Sequence, residues 1–450
     1  MISFLLTFVF AIRPFVRSQM KDKLFYVGLF AVLMLVSLGK GYGQEVIKDV
    51  PNGTDGLQLQ MRDDSLLSTI YTLPPNEFDG THSTFKIGLG LIYDLSAYSQ
   101  SKDFKTQMDS AGLKVNSTTN LRDFRLMTSG LFKFTKRTIS WRFAYMWDGD
   151  NQAWLIRESG LTIAVPELSG HIFIGRTKEG FSMVKVMNGH SPWAAERQMA
   201  IDLVPIIADG IKWFGFLPKS RIFWNVGAYN DFVSRGQKFS TYAWQTIARI
   251  GWMPFYDQAN SKLLHIGANL RYGSPLNGKF TIKSRPESNN MPQIINTGEF
   301  AAERSSHIGA EIYFSKKNLM VGSEVVMHKF YSSESGDHTF YGGDVVLSYI
   351  FTGGIRPYNT VGSLYGFIPV KKPVSKGGLG EIEGVVRFST FNLNDGSIKG
   401  GQFWKITTVA NWYLTRVIRL ELIYGYGVLD RFNLKGAIQF FESRIQFTVM

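Results

Sequence analysis

The sequence predicts an all-β fold, a transmembrane antiparallel β-barrel of about sixteen strands. Three observations predict it. Apolar and polar residues alternate with a period of two from about residue 82 to the end of the chain, aromatic residues gather at the ends of the alternating segments, and an export segment precedes them. Composition is consistent with this reading but does not decide it. Charged residues make up 19% of the 450 and aromatic residues 14%. That is too polar for a helical membrane protein and too aromatic for a disordered chain. A barrel with an apolar outer wall and a wet lumen averages to such values, and so does a soluble all-β protein.

The alternation is cleanest in Ile139-Ser140-Trp141-Arg142-Phe143-Ala144-Tyr145-Met146-Trp147, where every odd position is large and apolar. Phe85 to Tyr93, Leu264 to Tyr272 and Ile418 to Tyr426 repeat the pattern. Successive side chains of a strand face opposite sides, so one face is oily and the other carries Arg, Lys, Glu, Gly and Ser. A basic side chain turned to lipid at the midplane would cost on the order of 2–4 kcal/mol, which places the polar face in the lumen. Tyr93, Trp147, Tyr272, Trp412, Tyr413, Tyr424 and Tyr426 stand near segment ends, as interfacial girdles require. Short turns are expected to alternate with long polar loops, Ser284 to Arg304 and Gly354 to Gly378 among the latter.

Three regions follow. From Met20, Lys21 and Lys23 precede an apolar run from Leu24 to Leu38, and Gly41 and Gly43 fit a cleavage site before Gln44. Residues 1–43 are therefore expected to be an upstream extension plus signal peptide, removed on export. Residues 44–81, with Pro51, Pro74 and Pro75, read as a periplasmic lead-in, and 82–450 as the barrel. The absence of cysteine excludes disulfides, thiolate metal sites and a lipoprotein anchor. The expected location is the bacterial outer membrane.

No HExxH, G-x-S-x-G or Walker A pattern occurs, so neither an enzyme nor a cofactor is expected, and no nucleic-acid partner. The pairs Gly88/Gly90 and Gly425/Gly427 fall inside strands, where glycine thins the lumen face or permits bending. Glu381 and Glu383 share a face with Arg387 and Ser389 and read as charges opposing Arg387. The set pointing to function is basic. Arg125, Arg142, Arg249, Arg271, Arg387, Lys405 and Arg419 lie on lumen-phase positions and are candidates for an anion pathway, since guanidinium groups can replace the hydration of a small anion with bidentate hydrogen bonds. Lys371, Lys372 and Lys376 form a second basic group in a loop that either enters the lumen or sits at its mouth. The opposing reading is that lumen acids Glu311, Glu324, Asp344, Glu381 and Glu421 neutralise these cations. A formal net charge of +13 favours anions. The expectation is a passive, anion-preferring diffusion channel in outer-membrane lipid; a barrel serving as adhesin or assembly platform is the alternative.

The C-terminal third carries Phe367-Ile368-Pro369-Val370-Lys371-Lys372-Pro373, Gly377-Gly378-Leu379-Gly380-Glu381-Ile382-Glu383, Val386-Arg387-Phe388-Ser389 and Asn411-Trp412-Tyr413, with Arg444-Ile445-Gln446 in the last strand. In order and spacing these resemble the phosphate-selective porin O and P family, and Arg176-Thr177-Lys178-Glu179-Gly180-Phe181 is similar to its mid-barrel segment. The resemblance implies a sixteen-stranded, usually trimeric barrel whose arginines and lysines favour phosphate-like anions. The chain departs from the pattern at Ile382, where the family usually has Trp, and at Val449, where it usually has an aromatic residue.

Overall fold

The alternating segments all become strands, and sixteen of them join edge to edge in chain order. They are β1 (Thr84–Gln100), β2 (Thr118–Leu131), β3 (Ile139–Asp148), β4 (Ala153–Val165), β5 (Gly170–Lys178), β6 (Ile207–Leu217), β7 (Ile222–Asn230) and β8 (Tyr242–Asp257). The second half comprises β9 (Lys262–Pro275), β10 (Arg304–Lys316), β11 (Leu319–Tyr331), β12 (His338–Ile350), β13 (Glu381–Asp395), β14 (Ile398–Tyr413), β15 (Ile418–Arg431) and β16 (Leu434–Val449). A computed structural model describes residues 76–150, 152–205, 207–233, 242–257 and 261–450, so the expected signal peptide and nearly all of the lead-in lie outside the described residues. β1 pairs with β16 from Leu89↔Val449 to Gln100↔Ile438, which closes the sheet and leaves no barrel edge unpaired.

Burial distinguishes this barrel from a soluble sandwich. Ile250 is 57% exposed and Leu270 50%, while their neighbours Arg249 and Arg271 have no exposure. Apolar residues face outward and charged ones inward, the polarity expected of a wall standing in lipid. Girdle aromatics occupy both rims, with Trp147, Trp244 and Tyr272 at one and Trp252, Tyr349 and Trp412 at the other. Tyr93, Tyr424 and Tyr426 stand in mid-strand rather than at the ends where a girdle was expected, and Tyr413 is a further exception. The strand period turns it inward, where its hydroxyl donates to Glu383 at 2.8 Å.

Connections after odd-numbered strands include long ones, 101–117, 179–206 and 276–303, whereas those after even-numbered strands are mostly short turns, such as 166–169, 218–221 and 317–318. The short-turn end also holds the start of β1 and the end of β16, and is the periplasmic end. The connection 351–380 breaks this rule. The sequence groups it with the long loops, yet it follows β12 and so leaves from the short-turn end. It is accommodated because it folds inward and buries Tyr365, Ile368 and Val370.

The interior is correspondingly packed. Phe181, Met199 and Ala200 of 179–206 meet Phe280, Ile294 and Ile295 of 276–303 and wall residues Phe330, Phe391 and Phe440 in one cluster. Met183, Met187 and Trp193 join Tyr365, Tyr313 and Val385 in a second. Each large side chain buried this way contributes roughly 1.5–3 kcal/mol, so the inward connections are held by a core of their own.

Candidate functional site

The lumen is shaped chiefly by residues 179–205, whose docking begins at Glu179, directly after β5. Its carboxylate accepts from Arg271 Nε at 2.9 Å and Gln245 Nε2 at 2.9 Å, and Lys185 Nζ lies 3.3 Å away. The chain then turns at Ser182, whose φ of 68° is left-handed. That turn aims the amides of a short helix, Met183–Val186, at the wall. Met183 N donates to Glu311 at 2.8 Å, Val184 N to Glu324 at 3.0 Å, and Ser182 N to Asn269 at 2.9 Å. Glu311 and Glu324 face each other across β10 and β11, where like charges repel; helix amides and cations offset the repulsion.

All seven strand cations expected on the lumen face point into the barrel, and each has partners there. Arg249 Nε donates to Glu311 at 2.7 Å, and Arg271 is taken by Glu179. Arg125 pairs with Asp123, and Arg142 with Glu158 at 3.1 Å. Arg419 lies 3.0 Å from Glu421 and donates to Pro192 O at 2.9 Å. Arg387 pairs with Glu287 of the 276–303 connection rather than with the expected Glu381 or Glu383, and Lys405 donates to Pro286 O at 2.9 Å. Glu383 instead accepts from Arg356 at 2.8 and 2.9 Å, and Glu381 from Thr352. Of the acids weighed as neutralisers, Glu311 and Glu421 do neutralise strand arginines. Glu179 and Glu287, which do the same, come from the inward connections and were missed, because nothing local in the sequence joins them to β9 or β13. Lys371, Lys372 and Lys376 are exposed at the short-turn end, outside the packed interior.

The charged lumen residues divide by access to solvent. On β9 to β16 most are buried, with Arg271, Glu311, Glu324, Lys405 and Glu421 all at 2% exposure or less. On β2 to β6 several are half-buried, among them Arg142, Arg157 and Lys212, and Arg122 retains 24% side-chain exposure. Two of these cations are the extra residues of β-bulges. Between Ile92↔Asp123 and Tyr93↔Leu121, Arg122 has no partner, and between Ala144↔Glu158 and Tyr145↔Ile156 the same holds for Arg157. A bulge interrupts the two-residue period and re-aims a side chain. Arg122 thereby reaches Glu196 at 3.1 Å, whereas Arg157 has no ion-pair partner among the described residues, its hydrogen bond going to Met146 Sδ at 3.4 Å. Gly189 of the inward connection leaves the space beside it open, since a Cβ there would stand 3.1 Å from Arg125 Nη2 and 3.7 Å from Arg157 Nη2. Strict alternation hides both bulged arginines.

A closed barrel with a lipid-facing apolar wall and a charged lumen narrowed by inward connections is that of an outer-membrane porin. Solved structures share the fold. OmpT of Vibrio cholerae, in its trimer form, has a TM-score of 0.52 at 9% identity, covering 82% of this chain and 100% of that one. An anion-selective porin from Comamonas acidovorans has 0.51 at 12%, covering 82% and 100%, and the channel DcaP of Acinetobacter baumannii 0.51 at 10%, covering 83% and 99%. A stretch of 138 residues, 31% of this chain, is 28% identical to an uncharacterized protein of Caulobacter vibrioides and spans about a quarter of that relative, 27%. The phosphate-selective porin O and P family matches residues 102–431, and the chain belongs to it. Its family and fold are those of a channel rather than an enzyme.

Proposed function

We propose that this porin conducts small phosphate-like anions along the wall formed by β2 to β6, past the inward connection 179–206. The observation that carries the reading is the bulged Arg157, a half-buried lumen guanidinium with no carboxylate partner among the described residues, on the wall where several charged side chains keep contact with solvent. Arg125, Arg142 and Lys212 flank it, and the buried cations of β9 to β16 serve to hold the inward connections. A guanidinium without a counter-ion is the group best able to exchange water for an oxyanion. Family membership supports phosphate as the cargo. The test is reversal potential in planar bilayers under a salt gradient, with chloride and then phosphate. Arg157→Glu is expected to lower anion preference sharply, and cation preference of the unmodified protein would refute the reading. A homotrimer is the assembly proposed, by analogy with the trimeric OmpT; light scattering of the detergent-solubilised protein checks it.

A further inference from the structure

The two rims of the barrel differ in charge. At the end of the long loops, cations and acids are mixed and partly paired, with Lys279 beside Glu299 at 2.7 Å, Lys329 beside Asp337 at 3.0 Å and Lys435 beside Asp430 at 2.8 Å. At the short-turn end, Glu77, Asp79 and Glu167 are engaged by Lys86, Lys133 and Arg137 at 2.6, 2.5 and 2.7 Å. What remains exposed there is positive. Lys219 and Arg221 stand in one turn, Lys316 and Lys317 at another, and Lys371 and Lys372 in the connection before β13, none with a carboxylate partner among the described residues. These six follow the circumference instead of gathering at the pore mouth.

They also lie next to the lower aromatic girdle, formed by Trp252, Tyr349 and Trp412. The last of these supplies a second, independent observation. Trp412 Nε1 donates to Leu379 O at 2.8 Å, and Leu379 is 59% exposed. The segment following Lys371 and Lys372 is thus tied to a lipid-facing indole and presents an apolar side chain beside its lysines. An apolar anchor with adjoining ammonium groups at girdle depth suits the boundary between acyl chains and headgroups.

We propose that the short-turn rim is a cationic collar that binds the phosphate-bearing headgroups of anionic phospholipids in the periplasmic leaflet. Each ammonium or guanidinium group near such a surface adds attraction that falls off within a Debye length, so a collar of several gives a salt-sensitive preference for anionic over zwitterionic lipid. This does not depend on which solute the lumen conducts.

The test reconstitutes the full chain in vesicles of phosphatidylethanolamine with a minor fraction of phosphatidylglycerol, then extracts it and quantifies the lipid retained. A several-fold excess of phosphatidylglycerol over the bulk composition is expected, diminishing in high salt. The combined variant Lys316→Gln, Lys317→Gln, Lys371→Gln and Lys372→Gln should lose most of the excess, while Lys102→Gln, Lys105→Gln and Lys114→Gln at the opposite end should keep it. Heat-modifiable gel migration identifies folded samples, and the two-site variants Lys316→Gln/Lys317→Gln and Lys371→Gln/Lys372→Gln, each expected to lose part of the excess, serve if the combined one does not fold. Retention of phosphatidylglycerol in no more than its bulk proportion by the unmodified protein overturns the proposal, as does an excess left undiminished in the combined variant.

Discussion

Arg271 of β9 donates its Nε to Glu179 at 2.9 Å in a pocket neither side chain shares with solvent, and that bond joins the barrel wall to the root of the connection filling its lumen. Removing one member leaves the other charge buried, which costs about 3–5 kcal/mol. Arg271→Met should therefore release residues 182–204 from the wall. The expected result is new protease sensitivity within that segment and a larger single-channel conductance. The double variant Arg271→Met/Glu179→Met should recover little of the lost protection, because it leaves the buried Lys185, 3.3 Å from the same carboxylate, without its partner.

The solvent-facing and buried arginines should behave differently in the same experiment. Arg157→Glu is expected to shift the reversal potential toward cations with little change in stability, because its side chain has no ion-pair partner among the described residues to orphan. Arg387→Glu places a second carboxylate beside Glu287 and should instead undock the 276–303 connection. Its signature is a lower melting temperature and noisier, larger conductance. A change in reversal potential alone would place Arg387 in the permeation path.

At the periplasmic end Glu383 collects hydrogen bonds from Arg356 at 2.8 Å, Asn411 at 2.9 Å and Tyr413 at 2.8 Å. Glu383→Ala strands the buried Arg356 guanidinium, so a loss of about 3 kcal/mol or more is expected for the docking of 351–380. Hydrogen exchange of residues 356–370 measures it. The barrel strands themselves should keep their protection.

Gly90 faces the ring of His190, and a Cβ there would come within 2.6 Å of Cε1. Gly90→Val should push aside His190 and with it the segment bonded to Asp123 and Thr448. The outcome expected is an undocked connection on an intact barrel, read as heat-modifiable migration that is retained while conductance rises. Gly425 makes comparable room for Lys405. The in-strand glycines are thus thin places in the lumen wall, the role their position in the sequence suggests.

Much of the wall was legible because lipid enforces a two-residue period. Trp141 beside Arg142, or Ile250 beside Arg249, has one sensible orientation once one face meets hydrocarbon. Arg122 and Arg157 were not legible, since a single inserted residue reverses the phase and leaves no mark in composition. Partners such as Glu287 for Arg387 were also hidden. They depend on how a long connection folds back, which is set by distant packing at Phe280 and Phe391 rather than by neighbours in sequence. The end from which 351–380 departs required a strand count that alternation alone gave only approximately.

The seam between first and last strands bears on how the protein is made. Arg444 binds Asp94 at 2.6 and 2.7 Å across it, two residues 350 positions apart in the chain. No part of that closure can form until the final segment has been synthesised and has crossed into the compartment where the barrel assembles. Contacts so remote in sequence are slow to find. Until then the outward-facing Ile, Leu and Trp side chains stand in water. An unclosed chain is therefore expected to aggregate readily, and a truncation that removes only β16 should be degraded rather than yield a smaller pore.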